Sequence, residues 1–528
     1  MNSSHVATAT LPKAAALPEG ERLKVLFVAS ECTPFVKTGG LADVIGTLPN
    51  ALAGMGMDVR VIIPKYRDIP AYWRDQFQNL LYYYVNLGWR RQYCGIQYLK
   101  RHGVTYYFVD NEFYFGRDDI YGNGPEEGER FAFFNRAVLE ALPHIGFQPH
   151  IIHCNDWQSG MVPFLLKTQY GLIDHYQGIR SLFTLHNLRY QGIFDWSMIS
   201  DLLGIPHRYF ASDMLEYYGC ASFMKAGLVF SDHITTVSPT YAKEIQEPYY
   251  GERLDGLLRA RSAELTGILN GIDPAEYDPR NDMWLETHFS PSDPAGKADN
   301  KRSLQRDLGL KERDDVPIIA LISRLVDQKG LDLIECVLDD IMRENLQLVI
   351  LGRGEEHYQE MLHWAGWRYQ GRMAVRLELN NPLSHRIYAG ADMMLIPSQF
   401  EPCGLTQMLA MRYGTLPIVR ETGGLKDSVQ PFNRFTGEGN GFSFANYNAH
   451  EMLYTIRAAL SAYQDDATWQ RLMQNAFASN FSWRRSAKHY ETLYHSLLTP
   501  KEAPVADPPE ETPTAPQASD KAPELSSV

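Results

Sequence analysis

Cysteine is scarce and scattered. The six in 528 residues are Cys32, Cys94, Cys154, Cys220, Cys336 and Cys403, and they never form C-x-x-C. That spacing speaks against a metal cluster or a disulfide framework and fits reduced thiols in a cytosolic compartment. Nowhere do about 18 uncharged apolar residues run together, so no membrane span is expected. Basic charge is in deficit: 50 Lys and Arg against 63 Asp and Glu give −13. A nucleic-acid or anionic-membrane binder needs a basic footprint, so neither partner is expected. A local basic pocket for a phosphorylated small molecule stays open. No short repeat of solenoid type is present. The first residues, MNSSHVATATLPKAAALPEGER, hold no apolar stretch of the secretory kind. They contain Ser, Thr and Ala but little Arg, which makes a plastid transit segment the lesser alternative to a cytoplasmic location.

What is present is an ordinary globular composition, 45% hydrophobic and 21% charged, enough for a sizeable core. At about 150 residues per domain the length allows about three or four domains, or two large α/β lobes. Residues 1–21 have no hydrophobic period. Residues 499–528 are rich in Pro, Ala and acidic groups. Both ends are expected to be disordered, because they bury too little apolar surface to offset ordering entropy. Between them, short β-branched apolar runs alternate with helical segments. Strands are expected at 25–30, 59–63, 151–154, 180–185 and 233–237, and again at 317–323, 346–351, 373–378, 393–397 and 416–419. Continuous apolar runs suit parallel strands covered on both faces. The aromatic, alternating stretch near 80–110 predicts antiparallel hairpins inserted in the first lobe. Residues 265–316 mix Pro, Asp and charge and are the candidate inter-lobe linker. The expected division is a lobe over 22–268, a second over 269–476 and closing helices over 477–498.

The polar residues are placed with a pattern. Nearly every expected strand runs into a polar or Gly-rich cluster, where ligands of open parallel sheets bind. In VKTGGLADV, Gly39 and Gly40 open a helix beside Lys37. Free N–H groups and a mobile charge suit an anion, although KTGG has neither the Walker A nor the three-glycine dinucleotide spacing. The alternative is an ordinary β–α turn with a solvated lysine. In ISRLVDQKG, Arg324 and Lys329 flank one strand end and suit a diphosphate; unrelated solvated charges are the alternative. Glu401, in PSQFEPCGLTQ, precedes a helix and is either a site carboxylate or a dipole partner. The turn ETGGLKD, with Thr422 and Gly423, offers N–H groups to either sugar hydroxyls or phosphate. Asp156 and His186 end first-lobe strands, and lone residues of these types are often structural. Trp157, Tyr190 and Phe194 nearby offer faces on which sugar rings stack.

Together, KTGGLADV, HCNDWQSG, TLHNLRYQG, ILNGID, SRLVDQKG, PSQFEPCGLTQ and TGGLKD resemble the bacterial glycogen synthases and plant-type starch synthases. The resemblance covers about residues 22–498, with the motifs in family order. It implies two Rossmann-like lobes facing a central cleft, the α/β glycosyltransferase B (GT-B) fold, with final helices crossing back to the first lobe. It implies retaining transfer of glucose from ADP-glucose to the non-reducing end of an α-1,4-glucan, glycogen or starch, with no cofactor and no metal.

Carried over by position, Lys37, Gly39 and Gly40 match the donor-phosphate loop. Arg324 and Lys329 match the basic pair beside the departing diphosphate, and Glu401 matches the active-site carboxylate. Asp156 and His186 match residues around the transferred glucose. Asn270 lies in the NGID segment, and Gly404, Leu405 and Thr406 match the helix start near the phosphates. Thr422 and Gly423 are expected to bind donor as well. Two departures stand out: Asn155 precedes Asp156 where the family often has His, and Gln399 stands where it often has Arg.

Overall fold

The computed structural model describes residues 20–273 and 275–499. The expected disordered ends lie outside these residues, except for Gly20, Glu21 and Thr499. The first half builds strands β1 (Lys24–Val28), β2 (Asp58–Pro64), β3 (Gln78–Leu87), β4 (Arg90–Arg101), β5 (Val104–Asp110), β6 (Ile151–Asn155) and β7 (Arg180–Leu185). After them come β8 (Ile193–Asp195), β9 (Glu216–Tyr217), β10 (Cys220–Ser222), β11 (His233–Thr236) and β12 (Leu265–Gly267). Nine of these form one sheet in the order β12-β11-β7-β6-β1-β2-β5-β4-β3. The remaining three, β8, β10 and β9, form a small antiparallel sheet.

The second half builds β13 (Ile318–Ile322), β14 (Gln347–Leu351), β15 (Met373–Arg376), β16 (Met393–Ile396), β17 (Leu416–Arg420) and β18 (Phe442–Phe444). They form an all-parallel sheet in the order β15-β14-β13-β16-β17-β18. Apolar side chains on both faces explain the unbroken hydrophobic runs. Along β13, Ile319 and Leu321 enter one buried cluster, while Ile318 and Ala320 enter another on the opposite face.

The stretch 80–110 folds into antiparallel strands within the first lobe, where they are part of the main sheet. β5 pairs in parallel with β2, and β4 and β3 extend that same sheet to its edge. The linker begins later than 265, because Leu265–Gly267 pairs with β11 as the other edge strand.

The last helix, Trp483–Leu498, lies against the first lobe. Trp483, Ala487, Tyr490, Tyr494 and Leu498 recur at helical spacing and join the first lobe's core. Tyr494 Oη lies 2.8 Å from Nδ1 of the buried His153, whose Nε2 lies 2.6 Å from Thr184 Oγ1. Where the chain returns, Ile272 N donates to the carbonyl of Phe481 at 2.9 Å, so two passes of backbone run side by side between the lobes.

Candidate active site

The carboxyl ends of both sheets face a cavity of about 700 Å³. Each strand delivers its polar cluster where the backbone leaves the sheet. Lys37, Gly39 and Gly40 follow β1, Asp156 follows β6, His186 follows β7, and Asn270 follows β12; all line the cavity. From the second lobe come Arg324 after β13, Lys329 on the next turn, and Glu401, Gly404, Leu405 and Thr406 after β16. Residues as far apart in sequence as Lys37 and Thr406 therefore share one hollow.

The cations differ in their partners. Lys329 Nζ is 2.6 Å from Glu401 Oε2, which also accepts from Ser398 Oγ at 3.0 Å. Lys37 Nζ is 2.7 Å from Asp43 Oδ1 on the first turn of its own helix. The exposed guanidinium of Arg324 has no ion-pair or hydrogen-bond partner among the described residues. Glu401 itself is 9% exposed, so its ionised form leans on the lysine and serine beside it.

Asp156 occupies φ 54°, ψ 178°, a region that side-chain-bearing residues rarely adopt. Its Oδ1 accepts from His186 N at 2.7 Å, which anchors β6's end to β7's. Burial pushes the Asp156 carboxyl up to about 7, although the backbone N–H groups of His186 and Asn187 pull it back. Burial also pushes the His186 imidazole down to about 3, so it is neutral at physiological pH. Its Nε2 lies 3.0 Å from Asn155 Oδ1, the residue standing where the family often has His.

Polar atoms at the cavity wall lack partners. Gln158 Oε1, Asn270 Oδ1, Ser323 Oγ and Gln407 Oε1 are buried without a hydrogen bond, and all four residues line the hollow. Such groups are few in folded proteins and need an explanation. Water, or the hydroxyls of a ligand, in the cavity would satisfy them. The helix Thr406–Arg412 adds N–H groups that have no intrahelical acceptor, after Gly404 at φ +71° turns the chain into it.

Thr422 and Gly423 do not line the cavity, contrary to expectation. Thr422 Oγ1 and Gly423 N instead donate to Glu244 of the first lobe at 3.0 and 3.1 Å. At the first glycine turn, Glu31 accepts from Thr38 N, from Thr38 Oγ1 at 2.8 Å and from Gly39 N at 3.2 Å. Tyr121 Oη adds a bond of 2.9 Å to the same carboxylate. That turn therefore offers an anion Gly40 and Lys37 rather than the N–H groups of Thr38 and Gly39. Sequence reading missed Glu31 and Tyr121, both in the cavity wall. Glu31 had a signal, since it directly follows the strand expected at 25–30; Tyr121 lies in a loop with no period.

Asp327, Glu355 and His357 place ligand atoms within 4.8 Å of one another, the one such group found among the described residues. They are exposed and none lines the cavity.

Residues 24–260 match the family model of the starch synthase catalytic domain, and 306–476 match that of group 1 glycosyl transferases. The glycogen synthase of Geobacillus stearothermophilus is 54% identical over 480 residues, covering 91% of this chain and 99% of the relative. That of Clostridioides difficile is 50% identical over 479 residues, covering 90% and 100%. The catalytic domain of starch synthase IV from Arabidopsis thaliana, bound to ADP and acarbose, superposes with a TM-score of 0.84 at 34% identity, covering 90% of this chain and 100% of that one. Sucrose-phosphate synthase from Thermosynechococcus elongatus, at TM-score 0.59 and 18% identity over 90% and 99%, shares the fold alone.

Proposed function

The chain belongs to the glycogen synthase and starch synthase family, and we propose that its cleft moves glucose from ADP-glucose to the non-reducing end of an α-1,4-glucan with retained anomeric configuration. It is a glycosyltransferase of the GT-B fold that elongates a glucan. The observation carrying the residue assignment is the shared cavity: an unpaired Arg324, Lys329 and Glu401 face Asp156, His186 and unpartnered polar atoms across it.

In the proposed step the bond from glucose C1 to the β-phosphate oxygen breaks as the acceptor hydroxyl bonds to C1 on the same face. The departing phosphate takes the hydroxyl proton. Negative charge grows on ADP, where Arg324, Lys329 and the helix start at Gly404–Thr406 stabilise it. These fixed cations do what a divalent metal does in many phosphoryl transfers. Lys37 reaches the same phosphates from the first lobe.

Glu401 has one oxygen held by Lys329 and Ser398. That suits holding a sugar hydroxyl with the other oxygen better than attack on C1, which needs a second carboxyl group about 5 Å away. Asp156 and the neutral His186 orient the glucose. Asn270 and the other unpartnered polar atoms of the wall complete its hydrogen bonds. The acidic balance and unpaired cysteines suit work in the cytoplasm.

The test is glucose transfer onto glycogen from ADP-glucose and from UDP-glucose, followed by release of nucleoside diphosphate. Faster transfer from ADP-glucose is expected. A preference for UDP-glucose would defeat the donor assignment, and glucan binding without turnover would defeat the enzymatic role.

A further inference from the structure

The chain carries the same four-residue turn twice. Thr38–Gly39–Gly40–Leu41 opens the helix Gly40–Ala53, and Thr422–Gly423–Gly424–Leu425 opens the helix Gly423–Ser428. At each, a glutamate accepts from the threonine hydroxyl and the following glycine N–H. For the first turn it is Glu31, seven residues upstream in the same lobe. For the second it is Glu244, which reaches across from the other lobe.

Glu244 ends the helix Pro239–Glu244, which is capped by Ser238 Oγ accepting from Tyr241 N at 3.0 Å. The contact is reciprocal. Asp427 of the second lobe accepts from Thr240 N at 2.8 Å and Thr240 Oγ1 at 2.6 Å. Further along the same first-lobe segment, Tyr249 Oη accepts from Gln399 Nε2 at 3.0 Å, and Tyr250 Oη accepts from Arg420 Nη2 at 3.2 Å. Arg420 also donates to the Gln399 carbonyl.

These contacts meet at Glu401. Gly424 N donates to the Glu401 carbonyl at 3.1 Å. A Cβ on Gly423 would stand 2.0 Å from that same oxygen. The second turn is thus the backing against which the main chain of Glu401 rests.

We propose that Glu244 is a positioning residue for glucose transfer, bracing Glu401 through Thr422 and Gly423 only when the lobes are together. The role deepens the functional reading above and rests on it. When the lobes part, Thr422 and Gly423 lose their acceptor and the Gln399–Glu401 loop loses its first-lobe contacts. The turn at Gly39 keeps its own-lobe glutamate in either state. Glu401 is then fully placed only in the closed cleft, where water is excluded from the donor.

The test uses the full chain with Glu244→Ala, Glu244→Gln, Thr422→Val and the double variant Glu244→Ala/Thr422→Val. Measured are kcat and KM for transfer onto glycogen, ADP affinity, Tm, and radius of gyration by small-angle X-ray scattering with and without ADP. Glu244→Ala is expected to lower kcat about tenfold, the scale of one charge-assisted hydrogen bond, with ADP affinity changed less than about twofold. Glu244→Gln, which keeps an acceptor oxygen, restores most of the rate. The double variant loses no more than Glu244→Ala, because both act through one contact. ADP compacts the wild type more than Glu244→Ala.

Wild-type kcat in Glu244→Ala would overturn the proposal. So would losses in all variants that follow their Tm. If the wild type itself transfers no glucose, the functional reading fails, and scattering still decides the brace: equal compaction of wild type and Glu244→Ala by ADP would sink it.

Discussion

Lys329 Nζ lies 2.6 Å from Glu401 Oε2, whereas the guanidinium of Arg324, five residues earlier, meets no acidic partner among the described residues. In the proposed step Lys329 serves both Glu401 and the leaving diphosphate, and Arg324 serves the diphosphate alone. Arg324→Ala is therefore expected to lower kcat by about 10²-fold or more while leaving Tm unchanged. Lys329→Ala is expected to lose a similar factor and also to lower Tm, since it strands a nearly buried carboxylate. Turnover near wild type in both would remove the pair from the catalytic machinery.

Asp156 predicts a pH dependence. Its carboxyl rises from 3.8 to about 7 in the fold through burial. The folded chain then holds a proton that the unfolded chain has released, so this group's stabilisation is full below pH 3.8 and is lost as pH rises through about 7. The unfolding free energy of the wild type relative to Asp156→Asn, from urea unfolding, should fall across that window by at most about 1.4 kcal/mol per pH unit. His186, lowered from 6.5 to about 3, has the opposite slope between those values, since its neutral form favours the fold as pH rises, and this contribution cancels in the difference between the two proteins. A rate profile with a titration near pH 7 that survives in Asp156→Asn would reject the assignment.

Gly330 adopts φ +74° directly after Lys329, and a Cβ there would stand 2.2 Å from the Pro397 carbonyl oxygen. Gly330→Ala is expected to destabilise the protein by about 1–3 kcal/mol and to slow transfer by displacing Lys329. Urea unfolding and steady-state turnover check both parts.

Tyr494→Phe removes the hydroxyl 2.8 Å from His153 Nδ1 and leaves that buried nitrogen unpaired. A loss of about 1–3 kcal/mol in urea unfolding is expected. Unchanged stability would show that this hydrogen bond contributes nothing to holding the last helix.

Much of this arrangement is legible in the sequence because parallel strands are marked twice, by an apolar run and by the polar cluster that follows it. Arg324, Lys329 and Glu401 stand at such ends and meet in space for that reason. β12 and β18, three residues each, have no run long enough to mark them. The parallel pairing of β5 with β2 has no local sign either. The two Thr-Gly-Gly-Leu turns show the deeper limit. Their letters are identical, but one is served by a neighbour and the other by a carboxylate 178 residues away. Local chemistry announces an anion-seeking helix start; only tertiary structure tells whether a ligand or the protein itself answers it.

The return of Trp483–Leu498 to the first lobe bears on how the polypeptide is made. A ribosome delivers every strand of the nine-stranded sheet long before it delivers Tyr490, Tyr494 and Leu498, which fill part of the interior beneath that sheet. The nascent first half must wait, incompletely packed, while the second half is translated. The earliest-made lobe is thereby completed by the last of the described helices.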